Sequence, residues 1–392
     1  MSNWMVPYNK LDNQQREFVD NHKYTSNTWI SGFPGSGKSV LLAHSIRSIK
    51  AANPDAKVAL VVFTRSLIEM FRRGLAEVGV SGVSVMTMYD FNKGSERYDY
   101  VLADEIQDFP PSIVRELRSR SQHVVAAGDA NQSIYESDPQ FHETPVTPSQ
   151  TTSLLSANQF ELTTIHRLTR SIMASVASLI PAMRSLFSAK NDATKKDVTI
   201  RVGRAANEDQ EVGKVLDEAV RYCNSGQSVG ILFASQADAI RFCNRALSRK
   251  GRSEWSADSN KNRWGRPDFD SLNEHMAGAG LNLHYVGNGY GSFAKSGKIF
   301  VMTYHSAKGI DFDSVFLPFC DSSMQASRNR DIDKTVFMVA VTRSKENLFV
   351  SYTGRPHSYL DSFGGNRTDW DMSASGGSGM TSFGGGFGNI SF

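Results

Sequence analysis

The chain predicts an α/β fold built as two domains around parallel sheets, and three observations carry that expectation. It is 392 residues long, beyond the size at which a single hydrophobic core usually stops growing. Short apolar runs alternate with turn chemistry and helix-like stretches, the pattern of strands joined by crossover helices. The runs fall into two sets separated by a Pro/Ser/Thr-rich stretch, Thr144 to Ser156, whose composition reads as an exposed linker.

The first set of strands is expected at Asn27 to Ile30, Val58 to Phe63, Val83 to Thr87, Tyr100 to Ala103 and His123 to Ala126. Val198 to Val202, Val229 to Ala234, Lys298 to Thr303, Ser314 to Leu317 and Leu348 to Tyr352 form the second. These boundaries give domains over 1–150 and 151–361, an insertion at 248–297 and a tail over 362–392. Gly and Ser with interspersed Phe dominate that tail, which has too few aliphatic residues for a core and reads as flexible. Its SFGGGFGNISF end reads either as a plain disordered terminus or as a short peptide that docks a protein partner.

Bulk composition excludes more than it selects. The chain is 40% hydrophobic and 21% charged, with Lys+Arg 43 against Asp+Glu 40, so net charge names no partner class. Cys223, Cys243 and Cys320 form no CxxC pair, which argues against a disulfide framework and a zinc site and predicts a cytoplasmic protein. No apolar run approaches the ~18 residues of a membrane span, so neither signal peptide nor membrane anchor is expected.

The strongest local signal is Gly32-Phe33-Pro34-Gly35-Ser36-Gly37-Lys38-Ser39, which satisfies G-x-x-x-x-G-K-[ST] directly after a strand and before a helix. Glycines let the backbone N–H groups curl around a β-phosphate, and the helix N-terminus adds positive potential. Lys38 reaches the β- and γ-phosphates of ATP, and the Ser39 hydroxyl holds Mg²⁺. Hydrolysis also needs carboxylates at the end of a neighbouring strand, and Val101-Leu102-Ala103-Asp104-Glu105 supplies them. Asp104 is expected in the Mg²⁺ shell and Glu105 beside it to activate the attacking water.

DEIQD at 104–108 followed by GDANQSIY at 128–135 resembles the paired motifs of UvrD, Rep and PcrA superfamily 1 helicases. Leu11-Asp12-Asn13-Gln14-Gln15 resembles that family's adenine-reading motif, and Val62-Phe63-Thr64-Arg65 and Val85-Met86-Thr87 its first-domain single-strand contacts. Thr163-Thr164-Ile165-His166-Arg167, Thr303 to Phe312 (TYHSAKGIDF) and Val341-Thr342-Arg343-Ser344 are similar to its second-domain motifs, all in family order.

The resemblance implies two RecA-like domains with ATP between them and movement along single-stranded nucleic acid, DNA before RNA, with 3′→5′ polarity. It implies that Gln15 reads adenine, that His166 stands where the family stacks a tyrosine on it, and that Gly309 and Asp311 join the nucleotide site. Gln132 would sense the γ-phosphate, with Arg167 and Arg343 as arginine fingers from the second domain. Phe63, Thr64, Thr87, Thr303 and His305 would touch nucleic acid. Thr64 and Thr87 also fit a second reading as helix caps at strand ends.

Departures from the family fall on the nucleic-acid side. Only residues 88–103 separate Thr87 from Asp104, where full-size helicases insert a whole domain. The second family insertion shrinks to 248–297, at or below the size that holds itself together. In it Lys250, Arg252, Trp255, Lys261, Arg263, Trp264 and Arg266 interleave cations with indoles. That mixture suits base stacking on a single strand, or else a polar insertion with tryptophans folded underneath. After GDANQSIY comes Glu136-Ser137-Asp138-Pro139 in place of the family's stacking Trp, with Phe141 or His142 as candidate substitutes. Two functions remain open: a translocase or helicase, and an ATP-gated nucleic-acid sensor or regulatory ATPase subunit of a nuclease complex.

Overall fold

The computed structural model describes residues 4–373 apart from 130–131, 139, 182, 184–189, 192–195, 264 and 287–296. The first half alternates α1 (Asn13–Asn21), β1 (Thr28–Gly32), α2 (Lys38–Ala52), β2 (Val58–Val62), α3 (Arg65–Glu77) and β3 (Val83–Thr87). It continues through α4 (Met88–Lys93), β4 (Tyr98–Ala103), α5 (Pro111–Ser119), β5 (Ser121–Gly128), α6 (Pro148–Leu155) and β6 (Asn158–Leu162). Its six strands are parallel, in the order β3-β2-β4-β5-β1-β6. Val-Ala-Leu-Val-Val of β2 is buried at every position because helices cover both faces. Val58, Leu60 and Val62 enter one core, and Ala59 and Val61 the other, as the two-residue period of a strand requires.

The first domain runs past the expected boundary at 150. Thr144 to Ser156 is no linker: its Pro/Ser/Thr content is the start chemistry of α6, where Thr147 and Gln150 form a capping box. Thr151 and Leu155 are buried, and α6 packs on α5. The chain then returns as β6 beside β1, with Gly32 opposite Leu162.

The second half holds β7 (Thr164–Ile165), α7 (Arg170–Leu179), β8 (Lys190–Asn191), β9 (Thr199–Arg204), α8 (Glu208–Asn224), β10 (Val229–Phe233) and α9 (Gln236–Ser248). Next come α10 (Phe269–Gly278), β11 (Leu283–Tyr285), β12 (Ile299–Thr303), β13 (Phe312–Leu317), α11 (Arg330–Val341), β14 (Ser344–Tyr352) and β15 (Arg367–Asp369). Seven parallel strands run β11-β12-β10-β13-β14-β9-β15, and β7 pairs with β8 apart from them. The expected two-domain, parallel α/β architecture is therefore the observed one.

Two expectations about this half are corrected. The insertion supplies α10 and the edge strand β11, and Trp255 is buried against Phe269 with its indole N–H donated to Ser271 Oγ at 2.8 Å. Trp255 is thus the tryptophan folded underneath and offers no face to a base; Trp264 lies outside the described residues. Lys250, Arg252, Lys261, Arg263 and Arg266 remain exposed. Residues 362–373, read from composition as tail, are packed: β15 pairs with β9, and Trp370 and Met372 close the core over Gly203, where a Cβ would sit 2.7 Å from Met372 Cγ. The SFGGGFGNISF end lies outside the described residues. Among the described residues no helix is long and apolar enough to cross a membrane.

Candidate active site

The phosphate loop follows from β1 turning into α2. Pro34 and Ser36 are buried in it, while Gly35 and Gly37 take left-handed φ values of +74° and +88°. A Cβ on Gly35 would overlap the Cβ of Arg167, so glycine is required twice over. Lys38 folds back on the loop and donates to the carbonyls of Gly32 (2.8 Å) and Phe33 (3.1 Å). Burial lowers its pKa, offset in part by the Asp129, Glu105 and Asp104 charges. Those backbone carbonyls are weaker partners than a phosphate oxygen, so the ammonium is already placed for an anion.

Ser39 Oγ donates to Asp104 Oδ2 at 2.7 Å, which joins the two expected Mg²⁺ groups. Burial, with the Glu105 charge second, pushes Asp104 up to about 7, the mark of an anion short of positive charge. A hard dication with oxygen ligands fits that deficit. The Ser36 hydroxyl and Gln132 Nε2 are buried without a hydrogen-bond partner, two donors that a triphosphate would satisfy.

At the end of β4 the backbone of Glu105 swings to φ +56°. Its carboxylate accepts from Gln107 Nε2 at 2.5 Å, and Gln107 Oε1 accepts the Asp129 N–H at 3.0 Å. That amide lies so close to Gly128 that a Cβ there would overlap it, so the glycine that opens the sensor segment admits the bridge. Burial opposes ionisation of Glu105, yet Lys308 and Lys38 together with the Gln107 hydrogen bond hold it below the usual carboxylate range.

Across the cleft, Asp311 binds both arginines: Arg167 Nη1 at 2.9 Å and Arg343 Nη1 at 3.5 Å. Arg343 is 2% exposed and held by Val339 O and Thr342 Oγ1; burial, then repulsion from Arg167, lowers it to about 10. Arg167 stands at the junction of the domains. The His166 N–H donates to Gly35 O at 2.9 Å, so the residue before the arginine is hydrogen-bonded to the phosphate loop. The His166 ring pairs with Asp12 at 2.6 Å. Gln15 Nε2 donates to Ser36 O at 3.0 Å while its Oε1 accepts the Asp12 N–H, so its amide buttresses the loop. Gly309 takes a left-handed φ of +80° and lies against Leu67 of α3, where a Cβ would sit 2.7 Å from Leu67 Cδ2.

The expected nucleic-acid residues divide. Phe63, Tyr135 and His305 form a half-exposed aromatic row across both domains, with centroids 4.6 and 5.8 Å apart. Thr64 is half-exposed at the head of α3, and Thr303 bonds Ser306 inside its own turn. Thr87 follows the helix-cap reading: it is 2% exposed and its hydroxyl caps α4 through Asp90. Phe141 stacks on Tyr89, and His142 is exposed.

Sequence reading gave no role to Lys308, Asp108, Gln107 or Tyr135, although each stands inside a quoted motif. Lys308 and Asp108 are 200 positions apart and meet in a buried ion pair, a partnership visible only once the domains close.

No curated protein matches the chain. Among solved structures it is similar to arterivirus nonstructural protein 10 (helicase) in complex with DNA, at 14% identity and TM-score 0.43, over 86% of this chain and 63% of that one. It is similar also to the PRRSV helicase, at 14% identity and TM-score 0.42, over 86% and 54%. The chain thus spans less than two thirds of the length of either. The AAA domain family matches residues 15–138, which hold the phosphate loop, the Asp104-Glu105 pair and the Gln132 segment. The UvrD-like helicase C-terminal domain matches 281–355, which hold Lys308, Asp311 and Arg343. An ATPase half followed on one chain by that C-terminal half makes this protein a member of the UvrD-like superfamily 1 helicases.

Proposed function

We propose that the chain is an ATP- and Mg²⁺-dependent motor that moves along single-stranded DNA in the 3′→5′ direction. One observation carries the reading: Arg167, Arg343 and Lys308 converge on the cleft that holds Lys38, Asp104 and Glu105. Lys38 would bind the β- and γ-phosphates, and Ser39 with Asp104 would hold Mg²⁺, which neutralises phosphate charge when bound. Glu105, oriented by Gln107, accepts the proton of the attacking water. Arg167 and Arg343 stabilise charge on the transferred phosphoryl group once it displaces the Asp311 carboxylate between them. Closing and opening the cleft would move Phe63 and Tyr135 against His305, and with them a strand laid along that row.

A second reading, an ATP-gated sensor or regulatory subunit that does not unwind, is favoured by two observations. Residues 88–103 form only α4 and β4, and Trp255 is buried, so no described element replaces the accessory domains or the stacking tryptophan. ATPase rate with and without oligothymidylate and oligouridylate, followed by strand displacement on a tailed duplex, separates the two. Stimulation with displacement supports an unwinding motor; stimulation without it supports the sensor or a motor that only translocates. No stimulation by either oligonucleotide refutes both, and turnover retained in Lys38→Ala refutes the site.

A further inference from the structure

One contact between the domains, made by Lys308, has no step of nucleotide binding or cleavage assigned to it above. Lys308, in the turn after β12, is 2% exposed, and its ammonium is enclosed by first-domain groups. It donates to the Asp108 carboxylate, donates to Gln132 O at 2.6 Å, and stands 3.9 Å from Glu105 Oε2. A charge so fully withdrawn from water is retained only where its partners compensate it, and removing either partner strands the other.

The acceptors are not a random set. Asp108 follows Glu105 by three positions, and its second oxygen accepts the Ile134 N–H at 3.4 Å, which ties the segment after Glu105 to the segment after Gln132. Lys308 therefore grips both hydrolytic segments at one point. The loop that carries it has His305, against Tyr135, on one side and Asp311, between the two arginines, on the other.

We propose that Lys308 is a positioning residue that links the nucleic-acid face to turnover: when the domains close it sets Gln132 and the Glu105–Asp108 segment in register with the phosphate loop. The inference rests on the nucleotide reading above. The Lys308 ammonium is taken up by Asp108 and Gln132 O, so its loss acts on the rate of the bound state and not on ATP affinity.

The test uses the full chain with Lys308→Met, and with Asp108→Asn/Lys308→Met, which removes the stranded carboxylate and keeps the protein folded if the single variant is not. In both, kcat falls by ~tenfold or more, KM for ATP changes less than ~twofold, and stimulation by oligothymidylate drops toward none. A double variant that regains wild-type kcat and stimulation overturns the proposal and leaves the pair as structural glue. So does a KM that rises in step with the fall in kcat while the double variant melts like wild type. Should the wild type respond to no oligonucleotide, the nucleic-acid reading fails on its own, and Lys308 is still judged by kcat against KM.

Discussion

Glu211 makes the stability of the second domain depend on pH in a direction opposite to that of most carboxylates. It is fully buried in α8, where Oε1 accepts the Phe319 N–H at 2.9 Å and the Ser351 hydroxyl at 2.6 Å, and Oε2 has no hydrogen-bond partner. Burial, against the pull of those two hydrogen bonds and with help from the Asp321 and Glu208 charges, pushes the carboxyl from 4.5 up to about 7. Between those values the folded protein holds a proton that the unfolded chain has lost. Stability therefore falls as pH rises through this window and is level on either side of it. At about 1.4 kcal/mol per pH unit, the interval is worth ~3 kcal/mol. Glu211→Gln keeps the oxygen that accepts both hydrogen bonds and cannot ionise, so between about pH 5 and about pH 8 it gains ~3 kcal/mol on the wild type. At the acid end the two are within ~1 kcal/mol, because the amide nitrogen enters the space left by an unbonded oxygen. Urea denaturation followed by tryptophan fluorescence reads the right core, since Trp255 and Trp370 pack in the cluster that contains Val212 and Val215 of the same helix. Stability curves that run parallel for the two proteins from acid to alkaline pH would refute the argument and place water at Oε2.

Three further outcomes are expected. Gly35→Ala combines a left-handed φ with an overlap on Arg167, so fluorescent-nucleotide titration finds binding lost, well beyond the ~1–2 kcal/mol of backbone strain alone. Arg343→Ala lowers kcat by ~10³-fold with little change in KM, whereas Arg167→Ala, hydrogen-bonded next door to the phosphate loop, raises KM as well; steady-state ATPase kinetics distinguish them. Trp255→Ala costs ~3–5 kcal/mol of stability by denaturation, while anisotropy shows the folded variant binding oligothymidylate within ~twofold of wild type.

What the sequence conveys and what it hides follow from the range of each interaction. The phosphate loop, the Asp104-Glu105 pair and ten strand positions are local patterns, in which neighbours along the chain carry the signal. The missed strands β6, β7, β8, β11 and β15 are short or edge elements: Asn-Gln-Phe-Glu-Leu of β6 is mostly exposed, so it lacks the apolar run of a covered strand. Capping residues of α6 look like linker composition because Ser, Thr and Pro serve both ends. In the tail, the abundance of Gly and Ser dilutes Trp370 and Met372, whose burial depends on Gly203 far upstream. Around the site, motif positions mark Arg167, Asp311 and Arg343 without stating that one carboxylate holds both guanidiniums. Thr87 carries two meanings in one position, and only its 2% exposure decides for the cap.

The register of β6 beside β1 has a mechanical consequence. Leu162 is opposite Gly32, and four residues later the His166 N–H is fastened to Gly35 O, so Arg167 is moored to the rim of the phosphate loop. Arg343 and Asp311 travel together, because Arg343 O accepts the Phe312 N–H. On the proposed reading the cleft then has a fixed jaw and a moving jaw, and the Asp311 bridge is the latch between them.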